Sequence, residues 1–299
     1  MTSDPNVFSA ANTETSCLGG HATVKATEIA PEVWIPRIGL GVFQVPADEA
    51  QRVVEDALEL GYRHIDTATA YVNELGVGAA IAASGLPRDE IFVTSKLRNG
   101  DQGYDSTLSA YADSCERLGI EYLDLYLIHW PYPSAGLFVD SWRALSRLAD
   151  DGAVRAIGVS NFLSEHLDAI AAAGSRTPAV NQIELHPTFQ QRQLVATSRD
   201  HGAAVQAYSP LGQGADLDAD AVLTAATAHG ASPAQVVLAW HLQRGHIVIP
   251  KSSRRDRMAE NLAAASLRLS QQELDAITAL ENGQRIGGDP TTFSLTQIR

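Results

Sequence analysis

The sequence reads as an α/β protein, a single (β/α)8 barrel with a hairpin before it and an extra helix and tail after it. Three observations lead there. Eight short, nearly continuous apolar runs recur along the chain, the pattern of strands buried on both faces in a parallel sheet. Between them lie stretches with apolar residues three and four apart, the mark of amphipathic helices. No linker, internal repeat or low-complexity break interrupts the alternation, so residues 23–299 read as one domain. Eight units favour a closed barrel over an open doubly wound sheet.

Residues 1–22 are rich in Ser, Thr, Asn and Gly and read as a flexible tail. Residues 23–28 and 32–35 alternate weakly and pair as a hairpin outside the main body. The barrel strands are expected at 38–42, 62–67, 91–97, 123–129, 154–160, 179–184, 203–208 and 247–250. Helices are expected at 48–60, 73–84, 138–149, 164–173, 190–201, 232–244 and 254–265. Ser232-Pro233 is a strong start, an N-cap followed by proline at the first helical position. Residues 270–280 read as the additional helix and 283–299 as an irregular tail.

Composition narrows the function. Apolar residues make up 45% of the 299 and charged ones 19%, enough apolar matter for a sizeable core. Net charge is −13, which argues against nucleic acid or an anionic membrane as partner, so an anion site has to be built locally. Two cysteines, Cys17 and Cys115, are too few for a disulfide scaffold and lack metal-ligand spacing; they read as an inert tail thiol and a core thiol. No apolar run approaches the roughly 20 residues that span a bilayer, and the polar N-terminus lacks a secretory pattern. A cytoplasmic monomer is the expectation.

Polar residues collect where the strands are expected to end. Asp66 and Tyr71 follow the second strand, Lys96 lies near the end of the third and His129 ends the fourth. Ser160-Asn161 ends the fifth, Gln182 and Glu184 the sixth, Tyr208-Ser209 the seventh and Lys251-Ser252 the eighth. Alone, Asp66 reads as a helix cap, Tyr71 as packing, Lys96 as a salt-bridge partner and His129 as a satisfied core residue. Converging on one rim, each would cost free energy to bury without the others. A lysine cation beside Tyr71 is expected to lower its pKa from about 10 and make it a usable proton donor, with Asp66 holding Lys96 charged.

A second constellation is Ile249-Pro250-Lys251-Ser252-Ser253-Arg254-Arg255-Asp256-Arg257, with Glu260-Asn261 after it. Four cations and one acid sit where a strand gives way to a helix, and backbone N–H groups add to the positive potential there. A terminal phosphate suits such a place; a solvated basic helix end is the plainer reading. Gly39-Leu40-Gly41 lacks the third glycine of a Rossmann turn, and no Gly-Lys-Ser/Thr phosphate loop is present.

The motifs carry a resemblance. Gly61-Tyr62-Arg63-His64-Ile65-Asp66-Thr67-Ala68, with Glu74 and Gly78, is similar to the first signature of the aldo-keto reductases. Ile157-Gly158-Val159-Ser160-Asn161-Phe162 resembles their second signature. Ile249-Pro250-Lys251-Ser252 with Arg257, Glu260 and Asn261 resembles their third. Val180-Asn181-Gln182-Ile183-Glu184-Leu185-His186-Pro187 and Ser209-Pro210-Leu211-Gly212-Gln213-Gly214 also look like the family. The wording is most similar to bacterial members of the 2,5-diketo-D-gluconate reductase type.

The resemblance implies a barrel that binds NADPH without a Rossmann fold and reduces small carbonyls: aldehydes, α-dicarbonyls and keto-sugar acids. It makes Tyr71 the general acid, Lys96 and Asp66 its tuning pair, and His129 the donor that orients the carbonyl. It puts Ser160, Asn161 and Gln182 on the nicotinamide amide, Tyr208 against the ring, and Ser209, Leu211 and Gln213 by the pyrophosphate. Lys251, Ser252 and Arg257 hold the 2′-phosphate, with Glu260 and Asn261 near adenine. Two departures bear on substrate. Arg98 stands where the family often has a cleft-walling Trp, which suggests a preference for carboxylate- or hydroxyl-bearing substrates. The short tail has Phe293 as its one aromatic, which disfavours a large steroid pocket. Phe43, Trp34, Trp130 and Phe293 are candidate pocket walls. Three other readings stand beside a reductase: an NADP(H)-binding sensor with vestigial chemistry, a metal-dependent hydrolase using His129, His186 and Asp66, and a Schiff-base aldolase through Lys96.

Overall fold

The computed structural model describes residues 24–174 and 176–296. The expected tail over 1–22, with Cys17, lies outside the described residues. An antiparallel hairpin comes first, β1 (Ala26–Ala30) and β2 (Val33–Pro36), pairing Thr27 with Ile35. Eight parallel strands follow in sequence order. They are β3 (Leu40–Gly41), β4 (His64–Asp66), β5 (Phe92–Leu97), β6 (Leu123–Ile128), β7 (Val154–Ser160), β8 (Val180–Glu184), β9 (Ala204–Tyr208) and β10 (Ile247–Val248). Parallel bridges from Ile38 to Val248 and from Gly41 to Lys251 join the last strand to the first, so the sheet closes into a barrel. Apart from β7, which fills 154–160, the strands are shorter than their apolar runs. At the closing seam the last of them stops short of Pro250, which has no N–H for the ladder.

Helices cover the outside: α1 (Ala47–Leu60), α2 (Glu74–Ala83), α3 (Tyr104–Leu118), α4 (Phe138–Asp150), α5 (Ser164–Ala172) and α6 (Arg192–Asp200). Both α7 (Asp220–His229) and α8 (Pro233–Gln243) lie between β9 and β10, and α9 (Arg255–Ala263) and α10 (Gln271–Thr278) follow. The Ser232-Pro233 start holds as read: Ser232 Oγ accepts from the Gln235 N–H at 3.2 Å, and Gln235 Oε1 accepts from the Ser232 N–H at 2.9 Å. Two helices, α3 and α7, were not expected. The buried face of α3 is Thr107, Ala110, Tyr111, Ser114 and Leu118, too polar and small to contrast with its exposed side. In α7 alanines occupy buried and exposed positions alike, Ala225 and Ala226 among the first and Ala228 among the second. Gly78 in the first signature has a packing reason: a Cβ there would lie 2.2 Å from the Leu118 carbonyl oxygen, so α2 and α3 could not approach as they do.

Side chains alternate along each strand between lumen and helix layer. On β5, Val93 and Leu97 join the large core beneath the helices, whereas Phe92 joins the smaller apolar cluster inside the barrel. That inner cluster, with Leu125, Leu127, Ala156, Val180 and Ile247, is sealed by Val33 and Ile35 of the hairpin at the N-terminal ends of the strands. Trp34 alternates with those two residues and is exposed at that same end, so it is not a wall of a pocket at the opposite rim. Toward the C-terminal ends the lumen changes character. Asp66, Lys96, Ser160, Gln182 and Gln206 are all buried there.

Candidate active site

The carboxylate–lysine–phenol set forms where β4 and β5 end. Lys96 Nζ donates to Asp66 Oδ1 at 2.5 Å, to the Thr67 carbonyl at 2.9 Å and to the Tyr71 hydroxyl oxygen at 3.3 Å. Three acceptors fill the ammonium's three donor positions. Asp66 Oδ2 accepts from Gln182 Nε2 at 2.7 Å, and the same amide donates to Gln206 Oε1 at 3.0 Å. β4 and β8 are four strands apart in an eight-stranded ring, so this bond crosses the lumen.

Charge states follow from burial and neighbours. Burial favours the neutral form of Lys96, but Asp66 and Tyr71 more than offset it and hold its pKa above the ordinary value. A protonated amine is no nucleophile, which speaks against the aldolase reading. Tyr71 departs from the expectation: burial pushes it up, the Lys96 charge pulls it down, and the net is above 10 rather than below. The phenol is therefore protonated across neutral pH, and the adjacent cation is placed to stabilise phenolate when a proton leaves. His129 is held neutral, well below its ordinary pKa, by burial and by Lys96. Its ring meets Tyr71 edge to face, with centroids 5.5 Å apart, and its buried Nδ1 lacks a hydrogen-bond partner among the described residues.

Aromatic side chains border this mouth. Phe43 lies 5.1 Å from Tyr71 between ring centroids, and Trp130 stacks on Phe293 at 3.9 Å with 16° between planes. Arg98 grips Asp101 with a fork, Nε to Oδ2 at 3.0 Å and Nη2 to Oδ1 at 2.7 Å, so its charge is already matched. The tail returns over the same rim, where Asn99 Nδ2 donates to the Leu295 carbonyl at 2.9 Å.

Residues expected to hold a nucleotide line successive strand ends. Ser160 Oγ donates to the Gln182 carbonyl at 2.9 Å; Asn161 Nδ2 donates to the His129 carbonyl at 3.0 Å and to Ser160 Oγ at 3.1 Å. Tyr208 OH donates to Asn161 Oδ1 at 2.8 Å. Asn161, Ser209 and Gln213 all take left-handed backbone conformations, with φ of 61°, 46° and 53°, a cost that concentrates at functional turns. Leu211 opens the short turn at Gly212–Gly214. At the start of α9, Arg254 pairs with Asp256, and Arg255 pairs with Asp56 and Glu59. Lys251 and Arg257 have no carboxylate partner among the described residues, and Ser252 between strand and helix is buried. Glu260 and Asn261 follow on α9.

One buried cluster was not foreseen. His186 lies between Asp216, 2.9 Å from Nδ1, and Glu184, 3.2 Å from Nε2. Thr188 Oγ1 donates to Asp216 at 2.7 Å, and the Ile286 and Gly287 N–H groups donate to the two Glu184 oxygens at 2.6 and 2.8 Å. Burial alone would lower His186, but the two carboxylates reverse this and raise it to about 9. Glu184 and Asp216 lie below their ordinary values, because hydrogen bonds, chiefly from His186, outweigh their burial. A Cβ at Gly287 would sit 2.6 Å from Glu184 Oε2 and 3.3 Å from the Tyr208 hydroxyl, so a larger residue here would have to displace the buried carboxylate. His186 is thus committed to this cluster, apart from His129, which removes the hydrolase constellation. The signal was a glutamate and a histidine two apart on one face of a buried strand end.

The sequence model of the aldo/keto reductase family matches residues 37–282. An aldo-keto reductase of Mycolicibacterium smegmatis is 52% identical over 263 residues, covering 88% of this chain and 95% of that one. Among solved structures, a variant of Gox0644 in complex with NADPH is 45% identical with a TM-score of 0.87, covering 91% and 99% of the two chains. A putative 2,5-diketo-D-gluconic acid reductase B is 33% identical with a TM-score of 0.81, over 85% and 91%. The chain belongs to the aldo/keto reductase family. It is an oxidoreductase.

Proposed function

We propose that this enzyme reduces aldehyde and ketone carbonyls, among them α-dicarbonyls and keto-sugar acids, to alcohols, with Tyr71 as the general acid. The observation that carries the proposal is the hydrogen-bonded set of Asp66, Lys96 and Tyr71 opening beside a neutral His129. The cofactor is NADPH. The chain fits it at one telling place: of the four cations after β10, Lys251 and Arg257 are the two without a carboxylate partner among the described residues, and with Ser252 they offer their charge and hydroxyl to a 2′-phosphate. Ser160, Asn161 and Gln182 would hold the carboxamide, Tyr208 the ring face, and Ser209, Leu211 and Gln213 the pyrophosphate, with Glu260 and Asn261 at the adenine. NADPH supplies the hydride when bound.

The chain's own residues supply orientation and a proton. His129, neutral and set edge to face against Tyr71, is suited to hydrogen-bond a carbonyl oxygen. Tyr71 gives its proton to the developing alkoxide, and Lys96 neutralises the phenolate left behind. Asp66 and the Thr67 carbonyl keep the ammonium in place, and Gln182 keeps Asp66 in place. Phe43, Trp130 and Phe293 exclude water from the mouth. Arg98 reaches an anionic substrate by exchanging Asp101 for it.

The test is consumption of NADPH and NADH by purified protein with a panel of aldehydes, α-dicarbonyls and keto-sugar acids, beside Tyr71→Phe. Turnover with NADPH that the variant loses supports the proposal. Tight NADPH binding with no turnover on any carbonyl would refute it in favour of a sensor.

A further inference from the structure

Lys251 and Arg257 are not the only cations left without a carboxylate among the described residues. A second group lies on the outside of the barrel, between α6 and α8. Arg192 and Arg199 are seven residues apart on α6, two helical turns, so both project from one face. Arg244 reaches toward them from the C-terminal end of α8, and with His246 the three line a cleft of about 210 Å³. Arg199 and Arg244 stand beside the starts of β9 and β10, away from the C-terminal strand ends that carry Tyr71.

Neutral acceptors hold each guanidinium. Arg192 Nη2 donates to the Thr278 carbonyl at 3.2 Å, Arg244 Nη1 to Thr278 Oγ1 at 3.3 Å, and Arg199 Nη2 to the Arg244 carbonyl at 2.9 Å. Arg244 lies over the Trp240 ring, 5.1 Å from its centroid, and its buried Nε has no acceptor among the described residues. Glu281, which borders an adjoining depression with Arg192, gives its two oxygens to the N–H groups of Gln190 and Gly283 at 2.5 and 2.8 Å. Arg37 binds the backbone carbonyls of Leu242 and His246 and adds to the positive charge here. Burial and repulsion from Arg192 and Arg199 hold Arg244 below the usual guanidinium pKa. In a chain of net charge −13, three guanidiniums fixed around one hollow without an ion-pair partner among the described residues call for an anion from outside.

We propose that this cleft is a second anion site, which takes the phosphate group of a small phosphorylated metabolite. Guanidinium forks match the oxygen spacing of a phosphate, and several of their donors remain open. The volume admits a phosphate with a small appendage and is below the range of pockets that enclose drug-sized ligands.

The test uses the NADPH-saturated enzyme, so that the cofactor's own phosphate sites are filled, titrated calorimetrically with inorganic pyrophosphate at fixed ionic strength. Saturable binding at one site is expected. Arg199→Gln, an exposed position, should weaken it about tenfold or more, the size of a lost charged hydrogen bond, and Arg192→Gln with Arg199→Gln should remove it. NADPH affinity should stay unchanged in both variants, and citrate should bind more weakly than pyrophosphate. No saturable binding up to about 10 mM, binding unaltered by either variant, or citrate binding as tightly, would each overturn the assignment.

Discussion

Raising the pH should loosen this enzyme through one residue, His186. Its folded pKa is about 9 against an ordinary 6.5, because Asp216 and Glu184 flank it in a buried setting. A base whose pKa is raised on folding contributes stability that is complete below 6.5 and is lost as pH rises through about 9. The difference corresponds to about 3 kcal/mol. For a chain of this size that is roughly 5–10 °C in Tm. The assay is thermal unfolding by circular dichroism at constant ionic strength from pH 6 to 10, for wild type and His186→Gln. The variant leaves two buried carboxylates without their cation and should be about 3–5 kcal/mol less stable at pH 6.5. Other groups that titrate in this range do so in both proteins and cancel in the difference. The gap between the two Tm curves should therefore narrow steadily toward pH 9. A gap that stays constant from pH 6 to 10 would refute a charged His186 between the two carboxylates.

Tyr71→Phe should lower kcat/KM for carbonyl reduction about 10²–10⁴-fold, the usual worth of a general acid, with NADPH affinity little changed by fluorescence titration. Since Tyr71 must be protonated to donate and its pKa is held above 10, the alkaline fall in reduction rate should be centred above pH 10; a fall centred near 8 would contradict this. Lys96→Met leaves Asp66 buried and unpaired and should cost about 3–5 kcal/mol in denaturant unfolding, whereas adding Asp66→Asn should restore most of the stability and none of the activity. Asp101→Asn frees Arg98 and should raise kcat/KM for carboxylate-bearing carbonyls about two- to fivefold relative to neutral ones, the scale of a half-exposed ion pair.

The barrel was legible because its strands are buried on both faces and its helices on one, two patterns that differ sharply in period. The helices that escaped, α3 and α7, bury threonine, serine and alanine beside a few larger residues, which weakens the hydrophobic contrast while periodicity persists. Asp66, Tyr71, Lys96 and His129 could be picked out because charged and phenolic groups rarely end apolar runs without a reason. Their balance of forces was less legible. Whether Lys96 or burial dominates at Tyr71 depends on how completely the ring is desolvated, which spacing does not encode. Contacts across the lumen, such as Gln182 with Asp66, join positions 116 apart and emerge only once eight strands are placed in a ring. The fork between Arg98 and Asp101 is local, and three-residue spacing of opposite charges could have suggested it.

The bond from Gln182 to Asp66 ties opposite walls of the ring through the same carboxylate that holds Lys96. The uppermost layer of lumen packing is thus polar, and the residues proposed for the chemistry also brace the closed ring. On the proposed roles, a barrel that closed with β4 and β8 out of register would lose its activity together with its stability. A substitution at Asp66 or Gln182 would disturb the ring and the proposed chemistry together, whereas the loops and the tail that reach over the rim carry no such double load.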